Sequence, residues 1–181
     1  IFGHLLVPAA AVIELLAAAA REVVPAALQP MLQDFAMHRP LVLDEADTAG
    51  SGAARWQVTA EPRADAAWDL SLHRYEAAGR WTLVASARAA EMQTEAATSA
   101  SMVEGAVEAI DAESIYRRFL ALGVEFGPGF KCLSAIERGE SWARARVELP
   151  VHLEQSASGH ALHPVLLDAA LQLCSVAAPS T

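Results

Sequence analysis

Two strongly apolar segments, one near each end of the chain, dominate the hydropathy pattern. The first begins at Pro8 and continues to about Val23, and the second runs from Pro164 to Val176. Both are rich in alanine and leucine, which favour helix, and both are apolar around almost the whole helix circumference rather than along one stripe. The pattern therefore predicts two buried helices, each wrapped by other elements.

Between the first helix and residue 88, apolar and polar side chains alternate with a period of two. This alternation indicates antiparallel strands with one buried and one wet face. Turn-forming residues separate the segments, and the last two predict a hairpin through Gly79. The predicted strands cover residues 35–43, 54–60, 68–75 and 81–88. We therefore expect a sheet that wraps around the first helix.

The second half of the chain predicts a partial repetition of this order. Residues 94–107 are poor in large apolar side chains and indicate a linker. Asp111 is placed to cap a helix over residues 112–122, which ends at Gly123. Strands at 130–138 and 142–149, a polar loop at 150–159 and the second apolar helix follow.

These elements predict an α+β protein built from two related parts. The first part covers residues 1–93, the linker covers 94–107, and residues 108–181 form the start of the second part. The chain begins without Met and within a pattern, so we expect a piece of a longer protein.

Composition narrows the classes of function. Hydrophobic residues make up 54% of the chain and the mean hydropathy is +0.26, which is ample for a core. The net charge of -9 disfavours nucleic-acid binding and gives no basic patch for a membrane surface. His4, Pro8 and Glu14 interrupt the first apolar run, which has no basic leader, so neither a signal peptide nor a membrane span is predicted.

The two cysteines give no sign of a metal site. Cys132 and Cys174 belong to no CxxC pair and to no His/Cys cluster at ligand spacing, which suits a reducing cytoplasm. We expect Cys174 to be a small core residue rather than a nucleophile.

Asp168 is an acid on an otherwise apolar helix. Gln172 lies four residues later, on the same helix face. Burial raises the pKa of a carboxyl group, which makes it a candidate proton donor near neutral pH. The alternative is a solvated or backbone-bonded carboxylate, the usual role of a single acidic residue.

Three motifs occur in order along the chain. They are Gly3-x4-Pro8 at the start of the first helix, Gly123-Val-Glu-Phe-Gly-Pro-Gly-Phe130, and Leu162-His163-Pro-Val-Leu-Leu-Asp168-x3-Gln172. Together they resemble the dehydratase domain of modular type I polyketide synthases, with its motifs HxxxGxxxxP, GYxYGPxF and HPxLLDxxxQ/H. The resemblance covers nearly the whole chain and implies a double hot-dog fold, two antiparallel sheets each wrapped around a central helix, with the second hot-dog incomplete here.

The resemblance implies syn elimination of water from a 3-hydroxyacyl thioester to give a 2-enoyl thioester. The acyl group would be carried on the phosphopantetheine of an acyl carrier protein, with no other cofactor and no metal. Asp168 matches the family's acid, and Gln172 matches the residue that holds it. The implied partners are the carrier protein, neighbouring synthase domains and a second copy of the chain, in the cytoplasm, with no nucleic acid or membrane.

The first motif departs from the family at its histidine. Counting back from Gly3, the general-base His falls two places before Ile1, and His4 does not match it. Pro8 opens a helix whose free N–H groups can stabilise a developing enolate oxygen, and the candidate donor is the backbone N–H of Ala9.

The second motif lacks both family tyrosines, because Val124 and Phe126 replace them. Any hydroxyl contact from those positions is lost, and the pocket becomes more apolar. We assign His163 to capping and packing rather than to proton transfer. The resemblance implies substrate contacts at Gly3, Pro8, Ala9, Val124, Phe126, Gly127, Pro128 and His163.

Two alternatives remain open on the sequence. The first is a dehydratase-cyclase that closes an oxygen heterocycle by adding a hydroxyl to the enoyl thioester, with which Asp168 is compatible. The second is a catalytically silent hot-dog module kept for dimer contacts and carrier docking. A stand-alone hot-dog thioesterase is less consistent with the HPxLLDxxxQ helix.

Overall fold

The computed structural model describes residues 1–25, 29–43, 55–76, 79–92 and 106–177. The chain divides into two compact units, His4–Glu95 and Ala96–Thr181 together with Ile1–Gly3. The predicted boundary at residue 93 and most of the predicted linker lie outside the described residues, so those predictions stay open.

The first unit is a sheet around a helix. Strand β1 (Leu5–Leu6) leads into helix α1 (Ala9–Val23). The strands after the helix are β2 (Pro30–Met37), β3 (Val42–Leu43), β4 (Trp56–Pro62), β5 (Trp68–Tyr75) and β6 (Trp81–Glu91). Within the described ranges they form an antiparallel sheet of order β2-β6-β5-β4 and a small pair, β1-β3. The hairpin through Gly79 is confirmed, since it joins β5 to β6.

Helix α1 packs on the inner face of this sheet. Val12 and Leu16 are buried on the helix and belong to one core cluster with Leu70, Leu72 and Ala85 of the strands. Burying a leucine or valine side chain fully stabilises the fold by about 1.5–3 kcal/mol each. The predicted arrangement of a sheet wrapped around a central helix is therefore confirmed for this unit.

The predicted strand at residues 35–43 is wrong in its bounds. The strand begins at Pro30 and ends at Met37, and a separate short strand follows at Val42. The register between β2 and β6 shifts between Gln33 and Ala36, where Asp34 has a positive φ of 53°. Because such a bulge moves the side-chain alternation out of phase, the period-two pattern did not extend to the true start of the strand.

The second unit is a smaller sheet with two helices. It begins with β7 (Glu108–Ile110) and α2 (Ala112–Ala121). The later elements are a 3-10 turn at Pro128–Phe130, β8 (Leu133–Arg138), β9 (Ala143–Val147), a 3-10 helix at Val151–Gly159 and α3 (Pro164–Ala177). In the part of the unit that the structure describes, the strands form an antiparallel sheet of order β7-β8-β9. The α+β prediction is confirmed.

The helix cap predicted at Asp111 is confirmed. Its side chain accepts a hydrogen bond from the backbone N–H of Ser114 at 3.1 Å, and Gly123 follows the helix with φ of 80°. Other local predictions need correction. Strand β7 was missed because three residues are too few to show a period. The strand expected from residue 130 begins at Leu133 because a 3-10 turn precedes it, and the loop at 150–159 contains a 3-10 helix.

Helix α3 was predicted to be buried around its whole circumference, and that prediction is wrong. Val165, Ala169 and Val176 pack into the core of this unit, whereas Leu171 is 44% exposed. Cys174 is also exposed, so its prediction as a core residue is wrong. The described strands cover one face of α3, and an apolar pattern alone does not show which face is covered. No helix in the described part of the chain is long and apolar enough to span a membrane.

Candidate active site

Asp168 and Gln172 form a buried hydrogen-bonded pair on α3. Asp168 is 8% exposed and Gln172 is 4% exposed. Gln172 Nε2 donates to Asp168 Oδ2 at 2.7 Å and to the Phe130 carbonyl oxygen at 3.1 Å. Because a carbonyl only accepts, the amide nitrogen must face Phe130, which fixes the orientation of the amide. Gln172 Oε1 is buried with no hydrogen-bond partner among the described residues.

The surroundings of Asp168 favour its protonated form. Burial raises the pKa of the Asp168 carboxyl, and the hydrogen bond from Gln172 lowers it by less. The negative charge of Asp168 in turn raises the pKa values of Tyr116 and Cys132, although burial is the main cause for both. A carboxyl group held neutral in an apolar setting can donate a proton during a reaction.

The second motif lies directly against this pair. Gly127 precedes the 3-10 turn and Pro128 is its first residue, and the turn ends at Phe130, whose carbonyl accepts from Gln172. The Phe126 ring lies edge-on to Phe119, with ring centroids 5.0 Å apart. Val124 is half-buried, and its backbone N–H donates to the Phe119 carbonyl at 2.9 Å. The structure therefore brings the second and third motifs together within one unit.

His163 anchors the start of α3. Its Nδ1 accepts the backbone N–H of Val165 at 3.2 Å. The hydrogen must then lie on Nε2, which donates to Ser156 Oγ at 3.1 Å. Both ring nitrogens are engaged in these hydrogen bonds, and the capping contact predicted for His163 is present.

The residues of the first motif divide between the two units. Gly3 has a positive φ of 78° and groups with the second unit, where the neighbouring Phe2 N–H donates to the Gly123 carbonyl at 2.8 Å. Pro8 and Ala9 start α1 in the first unit. Pro8 precedes the helix without a side-chain cap, and its carbonyl accepts from Ala11 at 3.0 Å. An uncapped helix start keeps N–H donors available. The pairing of Ala9 with Asp168 stays a prediction.

Sequence reasoning missed the Phe130 carbonyl, which accepts from Gln172, and Tyr116, whose pKa the charge of Asp168 raises. The Phe130 carbonyl gives no sequence signal, because every residue has a carbonyl. Tyr116 could have been noticed, because it shares a face of the predicted helix with Phe119, three residues later. Among the described residues, no group of three or more His, Cys, Asp or Glu side chains is arranged to hold a metal ion.

Comparisons with known proteins identify the family. The family described as "Polyketide synthase dehydratase N-terminal domain" matches residues 84–181, and the family described as "Polyketide synthase dehydratase domain" matches residues 1–75. The chain is 32% identical over 195 residues to polyketide synthase GfsE of Streptomyces halstedii, with 100% of the chain and 5% of that protein covered.

Solved structures agree with the fold. The dehydratase domain from the CurF module of curacin polyketide synthase matches with a TM-score of 0.86 and 23% identity, over 100% of this chain and 65% of that chain. The dehydratase domain of RzxB from Pseudomonas fluorescens matches with a TM-score of 0.79 and 27% identity, over 98% and 63%.

The chain thus spans about two thirds of these solved domains and 5% of the GfsE synthase. The double hot-dog prediction is confirmed, with a second hot-dog that is incomplete over the residues compared. Family matches to both halves of the chain and the relationship to GfsE lead to one conclusion: the chain belongs to the polyketide synthase dehydratase family.

Proposed function

We propose that this chain supplies the acid side of a site that removes water from a 3-hydroxyacyl thioester during polyketide chain elongation. The observation that carries the proposal is the Asp168 carboxyl, buried on α3, hydrogen-bonded to a neutral amide and with its pKa raised by burial. A dehydratase needs a proton donor for the departing hydroxyl, and a buried carboxyl can fill that role near neutral pH.

The elimination balances with one base and one acid. The base takes the C2 proton, the C2–H electrons form the C2=C3 double bond, and the C3–O bond breaks. The Asp168 carboxyl protonates the leaving oxygen, so that water departs and a 2-enoyl thioester remains. Asp168 ends as a carboxylate and is reprotonated for the next turnover. The hydrogen bond from Gln172 stabilises that carboxylate while it is charged.

The base and the enolate stabiliser are assigned by the first motif. The base is the histidine expected two places before Ile1. The stabiliser is the N–H of Ala9 at the uncapped start of α1, where the positive end of the helix dipole favours a developing negative oxygen. Gly3 and Pro8 shape the backbone that leads to this donor.

The second motif supplies apolar side chains for the surface that would contact the acyl chain. Val124 and Phe126 have no hydroxyl group, and Phe126 packs against another phenylalanine. We infer that, together with the turn at Gly127 and Pro128, they form an apolar wall for the acyl chain that leads to Phe130, whose carbonyl accepts from Gln172. His163 supports this wall by fixing the start of α3.

The partners follow from the same assignment. The acyl group is delivered on the phosphopantetheine of an acyl carrier protein, and no other cofactor takes part. The other proposed partners are neighbouring domains of a synthase and a second copy of the chain. The proposed location is the cytoplasm. GfsE, of which the chain covers 5%, is itself a polyketide synthase.

The test is to incubate the full-length protein with 3-hydroxyacyl thioesters, with and without a distal hydroxyl group. Dehydration lowers the product mass by one water for both substrates. Cyclisation gives a second product of the same mass with altered chromatographic retention, and only from the substrate with the distal hydroxyl. Absence of any dehydrated product from the folded protein contradicts the proposal.

A silent docking module makes a different prediction. Asp168→Ala would then retain all of the activity that the unsubstituted protein shows. We expect instead that this variant loses dehydration while circular dichroism shows an unchanged fold.

A further inference from the structure

Tyr116 connects three elements around the Asp168 pair. It is one of two tyrosines in the chain and is 7% exposed on α2. Its hydroxyl oxygen accepts the backbone N–H of Leu133, the first residue of β8, at 3.4 Å. Its ring lies edge-on to Phe126, with centroids 6.1 Å apart, and the Lys131 ammonium lies 5.4 Å from the ring centroid. The phenol is therefore fixed in position at both its ring and its hydroxyl.

The four residues 130–133, here called the connecting segment, are held at both ends. At one end the Phe130 carbonyl accepts from Gln172 Nε2 at 3.1 Å. At the other end Leu133 donates its N–H to Tyr116. The same Gln172 nitrogen donates to Asp168 at 2.7 Å. A shift at the Leu133 end moves the carbonyl that orients Gln172, because only two residues lie between the two anchors.

The Tyr116 hydroxyl is close enough to Asp168 for the charge of that carboxylate to affect its pKa. Burial raises the pKa of the Tyr116 hydroxyl, and the charges of Cys132 and Asp168 raise it further, while the Leu133 N–H lowers it. The phenol consequently stays protonated throughout the pH range in which a dehydratase works. Its role is that of a neutral hydrogen-bonding group rather than a base.

We propose that Tyr116 is a positioning residue for the dehydration, holding the connecting segment so that the Phe130 carbonyl keeps the Gln172 amide directed at Asp168. The effect that this inference predicts on kcat rests on the proposed function. Neither residue 124 nor residue 126 carries a hydroxyl, so the phenol that fixes this part of the site comes from α2.

The kinetic test compares Tyr116→Phe with Tyr75→Phe in the full-length protein. Tyr75 lies in the first unit, and its ring contacts with Trp81 and Arg55 do not need its hydroxyl. For Tyr116→Phe, kcat should fall about fivefold, the size of one neutral hydrogen bond, with KM changed less than about twofold. The alkaline limb of its pH profile should move to higher pH, because a poorly held Gln172 stabilises the Asp168 carboxylate less. Tyr75→Phe should match the parent.

A double-mutant cycle separates positioning from general stability. In a Gln172→Leu background the link to Asp168 is already absent, so adding Tyr116→Phe should lower kcat no further. An equal drop in both backgrounds would overturn the proposal, as would a folded Tyr116→Phe variant with unchanged kcat and an unchanged pH profile.

A spectroscopic measurement does not require turnover. With 3-fluorotyrosine at residues 75 and 116, the fluorine resonance of residue 116 should follow the titration of Asp168 and should lose that response in Asp168→Asn. The resonance of residue 75 should not respond. A residue 116 signal that ignores Asp168 contradicts the inference even if the protein proves not to be a dehydratase, whereas a coupled signal without turnover contradicts only the proposed function.

Discussion

The central helices of the two units have similar hydropathy patterns, but they hold their buried acids differently. On α1, Glu14 is 7% exposed and its Oε1 accepts from Arg21 at 3.1 Å, which forms an ion pair. On α3, Asp168 is 8% exposed and accepts from the neutral amide of Gln172 at 2.7 Å. The first acid has a cationic neighbour, whereas the partner of the second acid among the described residues is an amide dipole.

This difference fits the proposed roles, with Glu14 as a structural acid and Asp168 as the proton donor. On α1 the Arg21 guanidinium lies against the Glu14 carboxylate, and a full positive charge stabilises a neighbouring carboxylate more than an amide dipole does. An amide dipole compensates less, and burial therefore raises the pKa of Asp168. Two acids that look equivalent on apolar helices are thus distinguished by the side chain one or two turns away.

Replacing each buried acid by its amide should give the largest difference in turnover between the two helices. Asp168→Asn keeps the size of the side chain but removes the transferable proton, so kcat for dehydration should fall about 10²–10⁴-fold, the usual contribution of general acid catalysis. Glu14→Gln should leave turnover within about threefold, because Glu14 is paired with Arg21 on α1 and has no part in the proposed elimination. The measurement is steady-state dehydration of a 3-hydroxyacyl thioester by the full-length protein. Equal losses in the two variants would contradict the distinction.

A second contrast concerns how completely each helix is covered. Leu16 on α1 is fully buried, whereas Leu171 on α3 is 44% exposed. Leu16→Ala should lower the free energy of unfolding by about 2.5–4 kcal/mol, since it removes contacts and leaves a cavity. Leu171→Ala should change it by about 0.5 kcal/mol or less. Urea denaturation of both variants tests this, and a large loss for Leu171→Ala would show that its face is covered in the full-length protein.

The sequence was informative where side chains alone determine the outcome. The capping by Asp111, the left-handed backbone at Gly123 and the i, i+4 pairing of Asp168 with Gln172 depend on local geometry and on residue type, and each was predictable. The bulge at Asp34 depends on backbone conformation, and the short strand β7 depends on a partner strand distant in sequence. Neither feature produces a periodic pattern of apolar and polar residues in the sequence.

The candidate site shows the same division. The acid and its amide were predicted from a motif, but the Phe130 carbonyl that fixes the amide is a backbone group with no sequence signature. The exposure of Cys174 was also missed, because an apolar helix pattern reports the chemistry of a face rather than its coverage. Tertiary contacts decide both.

The smallest of the three expected effects comes from replacing the neutral partner itself. Gln172→Leu removes the hydrogen bond that lowers the pKa of Asp168, so that pKa should rise further above its ordinary value. Because the acid must be protonated, activity that depends on it is present below this pKa and lost above it, and the alkaline limb of the kcat profile should move to higher pH. The maximal kcat should fall about tenfold, since the Asp168 carboxylate formed in each turnover loses one charge-assisted hydrogen bond. An alkaline limb that moves to lower pH would show that the amide mainly stabilises the protonated acid, and the contrast with the Glu14 ion pair would then lose its basis.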